Sequence, residues 1–157
     1  MLRHASFLEP ELEYDGGDPD GYRSGVLNFT RALGAKDLAV KLFEVPAGQS
    51  LCPYHYEYEE EWLIVLDGSA AVRTPAGEHT LERGAVAAFP PGPAGAHKVS
   101  NAGEHTLRAI MFSSAREPAV AVYPDSNKIG VWPGNPDDTV MLRRRDGAVD
   151  YYDGERA

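Results

Sequence analysis

The densest group of chemically active side chains lies between residues 55 and 61. It contains His55, Glu57 and Glu61, with two further carboxylates at Glu59 and Glu60. Four carboxylates within five residues repel one another unless solvent or a cation lies between them. In an extended backbone, His55 and Glu57 project to the same side of the chain. An imidazole and a carboxylate on one face are ligands for first-row divalent metals.

A second histidine, His97, follows a segment rich in proline and glycine, residues 90–95. Glu61 begins an apolar stretch and can return to the side of His55 after a bend. Two histidines and one carboxylate form the facial ligand set of non-haem iron sites. The residue types therefore indicate one metal site assembled from distant parts of the chain.

Short segments of strand length must position these side chains. Between the segments lie glycine, proline, aspartate and asparagine, each of which supplies turn geometry. Regular short strands separated by turns indicate an all-β sandwich or barrel. The strands predicted from the alternation of apolar residues are 38–45, 61–66, 70–74, 79–81, 85–89, 97–99 and 107–113.

The segment 61–66 is apolar on both faces apart from Glu61, so we expect it to be covered on both sides. Trp62, Ile64 and Leu66 share the face opposite Glu61. Two explanations are open. The strand forms a barrel wall that also makes a subunit contact, or it lies inside a monomeric sandwich.

The whole chain, residues 1–157, is predicted to form one domain. Residues 1–25 are expected to form an arm. Residues 118–136 are expected to form an ordered loop packed over the body. A short strand is predicted at 149–152, and a weak helical turn at 27–35.

The two polar segments resemble the two sequence motifs of the cupin superfamily. The first resemblance is carried by Gly48…His55-x-Glu57-x3-Glu61-x6-Gly68. The second is carried by Gly84-x5-Pro90-x-Gly92…His97-x3-Asn101. The chain departs from the family pattern by one extra residue before His55 and two before His97, and insertions at turns are tolerated. The residues around the motifs also resemble those of small bacterial single-domain cupins without an assigned reaction.

This resemblance implies a fold and a ligand set. The fold would be the double-stranded β-helix, a jelly-roll barrel, with its core at about residues 38–113 and a loop and tail at 114–157. The metal ligands would be His55, Glu57, Glu61 and His97. The cofactor would be a divalent ion, with Mn²⁺, Fe²⁺, Zn²⁺ and Ni²⁺ as the candidates.

Glu57 occupies the position where the family usually has its second histidine. The change adds a negative charge and a harder oxygen donor, so two carboxylates would neutralise a divalent cation. Such a site should suit Mn²⁺, Fe²⁺ or Zn²⁺ better than Cu⁺. The alternative is that Glu57 turns to solvent and the site is degraded or empty. Even then, His55, Glu61 and His97 would make a facial triad.

Other polar residues near the motifs have simpler expected roles. Tyr54, Tyr56 and Tyr58 alternate with the candidate ligands and should face away from them. Lys41 and Arg73 are expected at the surface, with a contact to a substrate carboxylate as the alternative.

Composition limits the classes of partner. The net charge of −9 opposes binding to a nucleic-acid backbone. We find no apolar run of roughly 20 residues and no secretory signal, so we expect neither a membrane span nor export. The single cysteine, Cys52, cannot form an internal disulfide and is expected to be a small buried filler. A cytoplasmic protein is the default expectation.

Three functions fit these observations. The first is a metal-dependent enzyme acting on a small polar metabolite, as a dioxygenase, isomerase or lyase. The second is a non-catalytic small-molecule-binding cupin with an empty or degraded metal site. The third is a metal-free isomerase that uses His55 or His97 with a tyrosine as its acid–base pair. We also expect a homodimer, formed through the apolar face of segment 61–66.

Overall fold

The computed structural model describes residues 2–144 and 146–155. Strands dominate this part of the chain, and the one α-helix among the described residues, α1 (Phe29–Leu33), is five residues long. Short 3-10 helices lie at Pro93–Gly95 and Pro136–Asp138. In chain order the strands are β1 (Glu13–Tyr14), β2 (Gly25–Asn28), β3 (Leu38–Val45), β4 (Tyr56–Glu57), β5 (Glu61–Asp67), β6 (Ser69–Thr74), β7 (Gly77–Glu82), β8 (Val86–Phe89), β9 (Lys98–Ser100), β10 (Leu107–Ser114), β11 (Ala119–Tyr123), β12 (Lys128–Trp132) and β13 (Val140–Arg143).

The strands pair in antiparallel sheets that face each other. One sheet has six strands in the order β1-β2-β3-β10-β5-β8. Facing it are a three-stranded sheet, β7-β6-β9, and a four-stranded sheet, β13-β12-β11-β4. Two isolated antiparallel bridges, Ser50–Ser100 and His55–His97, join the segment that precedes β4 to the segment around β9. The second and third sheets therefore continue into one curved wall.

The main apolar core lies between the two walls. The six-stranded sheet contributes alternate residues of β10, namely Leu107, Ala109 and Met111. The opposite wall contributes Val72 of β6 and Val99 of β9. Side chains that alternate in this way bury one face of each strand, as the sequence pattern predicts. The expected all-β architecture is confirmed.

The barrel interior changes character along its length. The closed end, which we define as Val45, Val65, Leu107 and Ala109, is apolar and completely buried. The open end is defined by Lys41, Glu61 and Ser113 together with the histidines described below. Cross-strand pairing sets this order, because Ser113 lies opposite Glu61 and Leu107 lies opposite Val45.

The largest error of the sequence prediction lies at residues 118–136. They were expected to form a loop, but they contain the antiparallel hairpin β11–β12, in which Val120 pairs with Val131. Asn127 adopts a left-handed φ of 51° in the turn between the strands, a conformation that asparagine tolerates. The hairpin extends further, since β13 pairs with β12.

One smaller prediction was also wrong. The expected strand at 149–152 does not form, because the backbone there turns, with the Asp153 amide donating to the Asp150 carbonyl. The arm at residues 1–25 includes β1, which pairs with β2 at the edge of the six-stranded sheet. The helical turn expected at 27–35 is present as α1, capped by the Asn28 side chain. Among the described residues, no helix has the length and apolar character needed to cross a membrane.

Candidate metal centre

His55 and His97 are fixed side by side by their own backbones. The His55 amide donates to the His97 carbonyl at 3.0 Å, and the His97 amide donates to the His55 carbonyl at 2.8 Å. Residues that exchange two hydrogen bonds in this way lie directly opposite each other, with their side chains on the same face. The two ring centroids are 4.8 Å apart. The structure therefore brings the two predicted histidines together.

A compact turn delivers His97 to this position. The 3-10 helix Pro93–Gly95 precedes it, and the Gly92 amide donates to the Glu57 carbonyl at 2.7 Å. A Cβ atom on Gly95 would collide with the Pro90 carbonyl oxygen, so only glycine permits this close approach. The proline and glycine residues of segment 90–95 thus fold the chain tightly against β4.

The hydrogen bonds of the imidazoles determine which nitrogen faces the interior. His55 Nδ1 lies 2.9 Å from the Pro53 carbonyl, and His97 Nδ1 lies 2.9 Å from the Gly95 carbonyl. A carbonyl only accepts, so each Nδ1 carries the proton and donates it. Each Nε2 is left with a free lone pair. This backbone anchoring is the arrangement that orients histidine ligands in metal sites.

The lone pairs of both histidines face carboxylate oxygens. His55 Nε2 lies 4.0 Å from Glu57 Oε1 and 3.7 Å from Glu61 Oε2. His97 Nε2 lies 3.7 Å from the same oxygen of Glu61. His97 is completely buried, and its Nε2 atom has no hydrogen-bond partner among the described residues. Ligands about 2 Å from one metal ion are themselves separated by about 3–4 Å, so this spacing fits a bound cation.

Burial disfavours the charged forms of the two histidines and the two glutamates. Burial lowers the pKa of His97 to about 4, assisted by repulsion from His55, and burial also lowers the pKa of His55. Burial raises the pKa of Glu61 to about 8, and the charge of Glu57 adds to this rise, while Lys41 opposes it. The pKa of Glu57 is raised by burial as well. A cation placed among these groups would favour the ionised carboxylates and the neutral imidazoles.

Glu57 faces the interior of the barrel. Its side chain is 25% exposed, and its oxygen approaches His55 as given above. His55, Glu57 and Glu61 offer ligand atoms that all lie within 4.8 Å of one another. The conformation in which Glu57 turns to solvent, the alternative left open by the sequence, is not the one observed.

Comparison with known proteins places this site in a family. A family model described as a cupin domain matches residues 41–113, a range that contains all four predicted ligands. Residues 41–113 are thus similar to a cupin domain, and the two facing antiparallel walls have the form of a jelly-roll barrel. A search of curated proteins found no match for the chain.

Solved structures share the architecture over most of the chain. A sugar phosphate isomerase of the cupin superfamily from Silicibacter pomeroyi has a TM-score of 0.75 and 23% identity, covering 91% of this chain and 94% of that one. A protein from Acidithiobacillus ferrooxidans, named for a proposed sugar phosphate isomerase activity, has a TM-score of 0.79 and 22% identity, covering 91% of both chains. The polyketide cyclase RemF from Streptomyces resistomycificus has a TM-score of 0.59 and 20% identity, covering 76% of this chain and 84% of RemF. At these identities the likeness establishes the fold.

A cavity of about 400 Å³ opens in the barrel beside His55, Glu57 and Glu61, and His97 is not part of its lining. Lys41, Glu59 and Arg116 line it together with Glu57 and Glu61. Lys41 is exposed, as the sequence predicts, and its position opposite Met111 places it on the inner face of β3, where it also lines the cavity. The cavity therefore contains a cationic group that sequence reasoning had treated as a secondary possibility.

Two residues beside the histidines were missed by the sequence prediction. Cys52, expected to be a filler, has its sulfur within 4.8 Å of a ring nitrogen of both His55 and His97. Tyr123, at the end of β11, stacks on His55 with ring centroids 5.8 Å apart. The position of Cys52 three residues before His55 was the one available signal. For Tyr123 there was none, because the hairpin itself had not been recognised.

Tyr56 and Arg73, which lie near the site in the sequence, make contacts outside the histidine cluster. Tyr56 packs against Ala96 and Val122, away from the histidines, as predicted. Arg73 forms a bidentate pair with Asp125 at 2.6 and 3.0 Å and lies over the ring of Tyr54. Arg73 thereby ties β6 to the hairpin that carries Tyr123, and it contributes no charge to the cavity lining.

Proposed function

We propose that the cupin domain holds one divalent metal ion through His55, Glu57, Glu61 and His97 and acts on a small polar metabolite in the adjacent cavity. The observation that carries the proposal is the Nε2 atom of His97, which is buried, faces a carboxylate oxygen and has no hydrogen-bond partner within residues 2–144 and 146–155. Burying an unpaired polar atom is unfavourable, and a shared cation would remove the penalty.

The donor types favour Mn²⁺, Fe²⁺, Zn²⁺ or Ni²⁺. Two neutral imidazoles and two carboxylates give a set with two negative charges, which balances a divalent ion. When bound, such an ion supplies Lewis-acid polarisation of a substrate oxygen. The backbone carbonyls of Pro53 and Gly95 keep the imidazoles oriented, so the donors are arranged before any ion arrives.

The remaining cavity residues favour an oxygen-rich or anionic metabolite. Lys41 supplies a positive charge on the cavity wall, and no carboxylate oxygen of the described residues lies within 4.0 Å of its ammonium group. If Glu57 stays free beside the ion instead of binding it, Glu57 is a candidate general base, because burial raises its pKa. Dioxygenase, isomerase and lyase reactions all fit this arrangement, and the names of the two structures from Silicibacter pomeroyi and Acidithiobacillus ferrooxidans add weight to isomerase.

A second candidate function is a small-molecule-binding cupin without metal. The raised pKa of Glu61, about 8, favours it, because a protonated Glu61 could donate to one of the facing imidazoles at neutral pH. The same protonated state would suit a metal-free isomerase. The metal-dependent and metal-free functions differ in whether the protein binds a metal ion, and metal binding can be measured directly.

The test is metal content by mass spectrometry on untagged protein, before and after incubation with each candidate ion. We expect close to one divalent ion per chain in the wild type and loss of that ion in His97→Ala. His79→Ala is the matched control, because His79 is exposed on β7, and it should retain the metal. A wild-type protein that takes up none of the four ions would overturn the proposal in favour of the metal-free candidate.

We also propose that the protein is a homodimer formed through the outer face of the six-stranded sheet. On that face Trp62 stacks on Phe112 with ring centroids 5.9 Å apart, and Ile64 lies beside them opposite Ile110. Light scattering after gel filtration should give twice the chain mass for the wild type. Ile64→Asp should give the mass of one chain, while Thr80→Asp on the exposed strand β7 should leave the dimer intact.

A further inference from the structure

We propose that Cys52 is an additional ligand of the metal centre, so that the site can hold a thiophilic divalent cation such as Zn²⁺, Co²⁺ or Cd²⁺ through sulfur. The inference deepens the proposed metal-binding function and depends on it. It assigns to Cys52 a role that the cupin sequence motifs do not include.

The first observation is geometric. The Cys52 sulfur, a His55 nitrogen and a His97 nitrogen all lie within 4.8 Å of one another. Cys52 also lines the cavity that contains Glu57 and Glu61. The structure thus contains two overlapping donor sets that share His55, one completed by carboxylate oxygens and the other by a thiol and His97.

The second observation is independent of the cysteine. His97 is 0% exposed, and its Nε2 atom has no hydrogen-bond partner among the described residues. A buried nitrogen in this state indicates a missing ligand. His97 also belongs to the cluster that contains the Cys52 sulfur, so the imidazole with the unpartnered nitrogen and the thiol lie side by side.

Cys52 is a neutral thiol when no ion is bound. Burial raises its pKa to about 12, and a hydrogen bond from the Val99 backbone opposes this rise only in part, so a bound cation has to displace the thiol proton. The preceding residue is held in place, since the Leu51 amide donates to the Val99 carbonyl at 2.9 Å. On binding, the metal replaces the thiol proton, which leaves to solvent, and no oxidation or reduction occurs.

The two donor sets predict selectivity. Thiolate and imidazole ligands suit Zn²⁺, Co²⁺ and Cd²⁺, whereas carboxylate oxygens suit Mn²⁺. We therefore expect Cys52→Ser to weaken Cd²⁺ binding by at least about tenfold. The same substitution should change the affinity for Mn²⁺ by less than about threefold, because the carboxylate set is intact.

The experiment is a titration of metal-free protein with Co²⁺, followed by absorption spectroscopy. A cobalt–thiolate bond gives an intense charge-transfer band in the near ultraviolet, which oxygen and nitrogen ligands do not produce. The wild type should show this band with a stoichiometry of one ion per chain. Cys52→Ser and Cys52→Ala should lack it while keeping the weaker visible bands of bound cobalt.

A matched control is available in the same cavity. Met111 also lines the cavity and carries the other sulfur near the site, so Met111→Leu should keep the charge-transfer band. If the cysteine variants fail to fold, the ¹¹³Cd chemical shift of the wild-type complex reports a sulfur ligand directly.

The outcomes separate this inference from the proposed function. Cobalt that binds to the wild type with visible bands alone, or a charge-transfer band that persists in Cys52→Ala, would exclude Cys52 and leave the metal site standing. Absence of cobalt binding in the wild type, together with absence of Mn²⁺, Fe²⁺, Zn²⁺ and Ni²⁺ binding, would overturn both.

Discussion

The closed end and the open end of the barrel are built from the same strands but bury opposite kinds of atom. β5 carries Glu61 at the open end and Val65 at the closed end, and both side chains point to the interior. Val65 is packed among apolar neighbours. His97, which faces Glu61, is buried just as completely, yet its Nε2 atom has no hydrogen-bond partner in the part of the chain that the structure describes.

This contrast separates two consequences of burial. Removing apolar surface from water stabilises the fold directly. Removing lone pairs and carboxylates from water destabilises the fold until a cation or a proton joins them. We therefore expect the closed end to determine the stability of the chain and the open end to determine how stability depends on metal and pH.

The largest expected effect is at the closed end. Leu107→Ala should lower the free energy of unfolding by about 2–5 kcal/mol, because Leu107 is fully buried and its truncation leaves a cavity. Urea unfolding in the presence of a chelator measures the loss. Leu38→Ala is the control, since Leu38 is 52% exposed and should lose less than about 1 kcal/mol. Equal losses in the two variants would remove the distinction between the closed end and the surface.

The next effect is a pH dependence that belongs to the open end. The pKa of Glu61 is about 8 in the folded chain against an ordinary 4.5, so the stability contributed by its protonated form is lost as pH rises towards 8. The pKa of His97 is about 4 against an ordinary 6.5, so its contribution rises with pH only up to about 6.5. Between pH 6.5 and 8 the loss from Glu61 is unopposed.

Metal-free protein should therefore lose about 2 kcal/mol of unfolding free energy between pH 6.5 and 8. Urea unfolding at a series of pH values in chelator measures this slope. Glu61→Gln should flatten it, since the amide does not titrate. A wild-type stability that stays constant over this interval would show that Glu61 is already ionised at neutral pH.

A smaller effect concerns the choice of ion. Glu57→His replaces an oxygen donor by imidazole, which should favour Ni²⁺ or Cu²⁺ over Mn²⁺ by about tenfold relative to the wild type. Isothermal titration calorimetry with each ion measures the ratio. Glu78→His, at an exposed position on β7, should leave it unchanged. An unaltered preference in Glu57→His would mean that Glu57 is not a ligand.

The smallest effect tests the charge of Lys41. Lys41→Met removes a cation near the carboxylates and should tighten Mn²⁺ binding by about twofold to threefold, because like charges repel. It should also weaken binding of small carboxylate or phosphate ligands to the metal-loaded protein. Lys36→Met, an exposed lysine outside the cavity, is the control for net charge, and calorimetry serves for both. A change of the same sign for cation and anion would exclude an electrostatic role.

The sequence was sufficient for the barrel wall because the signal there is local. Strand β3 spans the predicted residues 38–45, and β5 and β10 differ from their predictions by one residue each. In the region 118–136 the prolines obscured the alternation of Val120 and Val122. The pairing of β11 with β4 depends on tertiary contacts that no local pattern records.

The candidate site divides in the same way. The strand period places His55 and Glu57 on one side, the residue types added Glu61 and His97, and the family resemblance implied all four as ligands. The proximity of Cys52 to His97 could not be predicted, because it depends on the register between two distant segments of the chain. The same holds for Tyr123, which reaches His55 through a hairpin formed elsewhere in the chain.

The reciprocal hydrogen bonds between His55 and His97 also bear on the order of folding. They close a long loop of chain. Loop closure is entropically unfavourable, and this loss comes before the stabilising contacts between distant residues can form. The ion site thus comes into existence only after both walls have met, and an unfolded or half-formed chain has nothing comparable to offer a cation. Occupancy by metal would then report completed assembly, and it would shift the equilibrium towards the finished barrel by mass action.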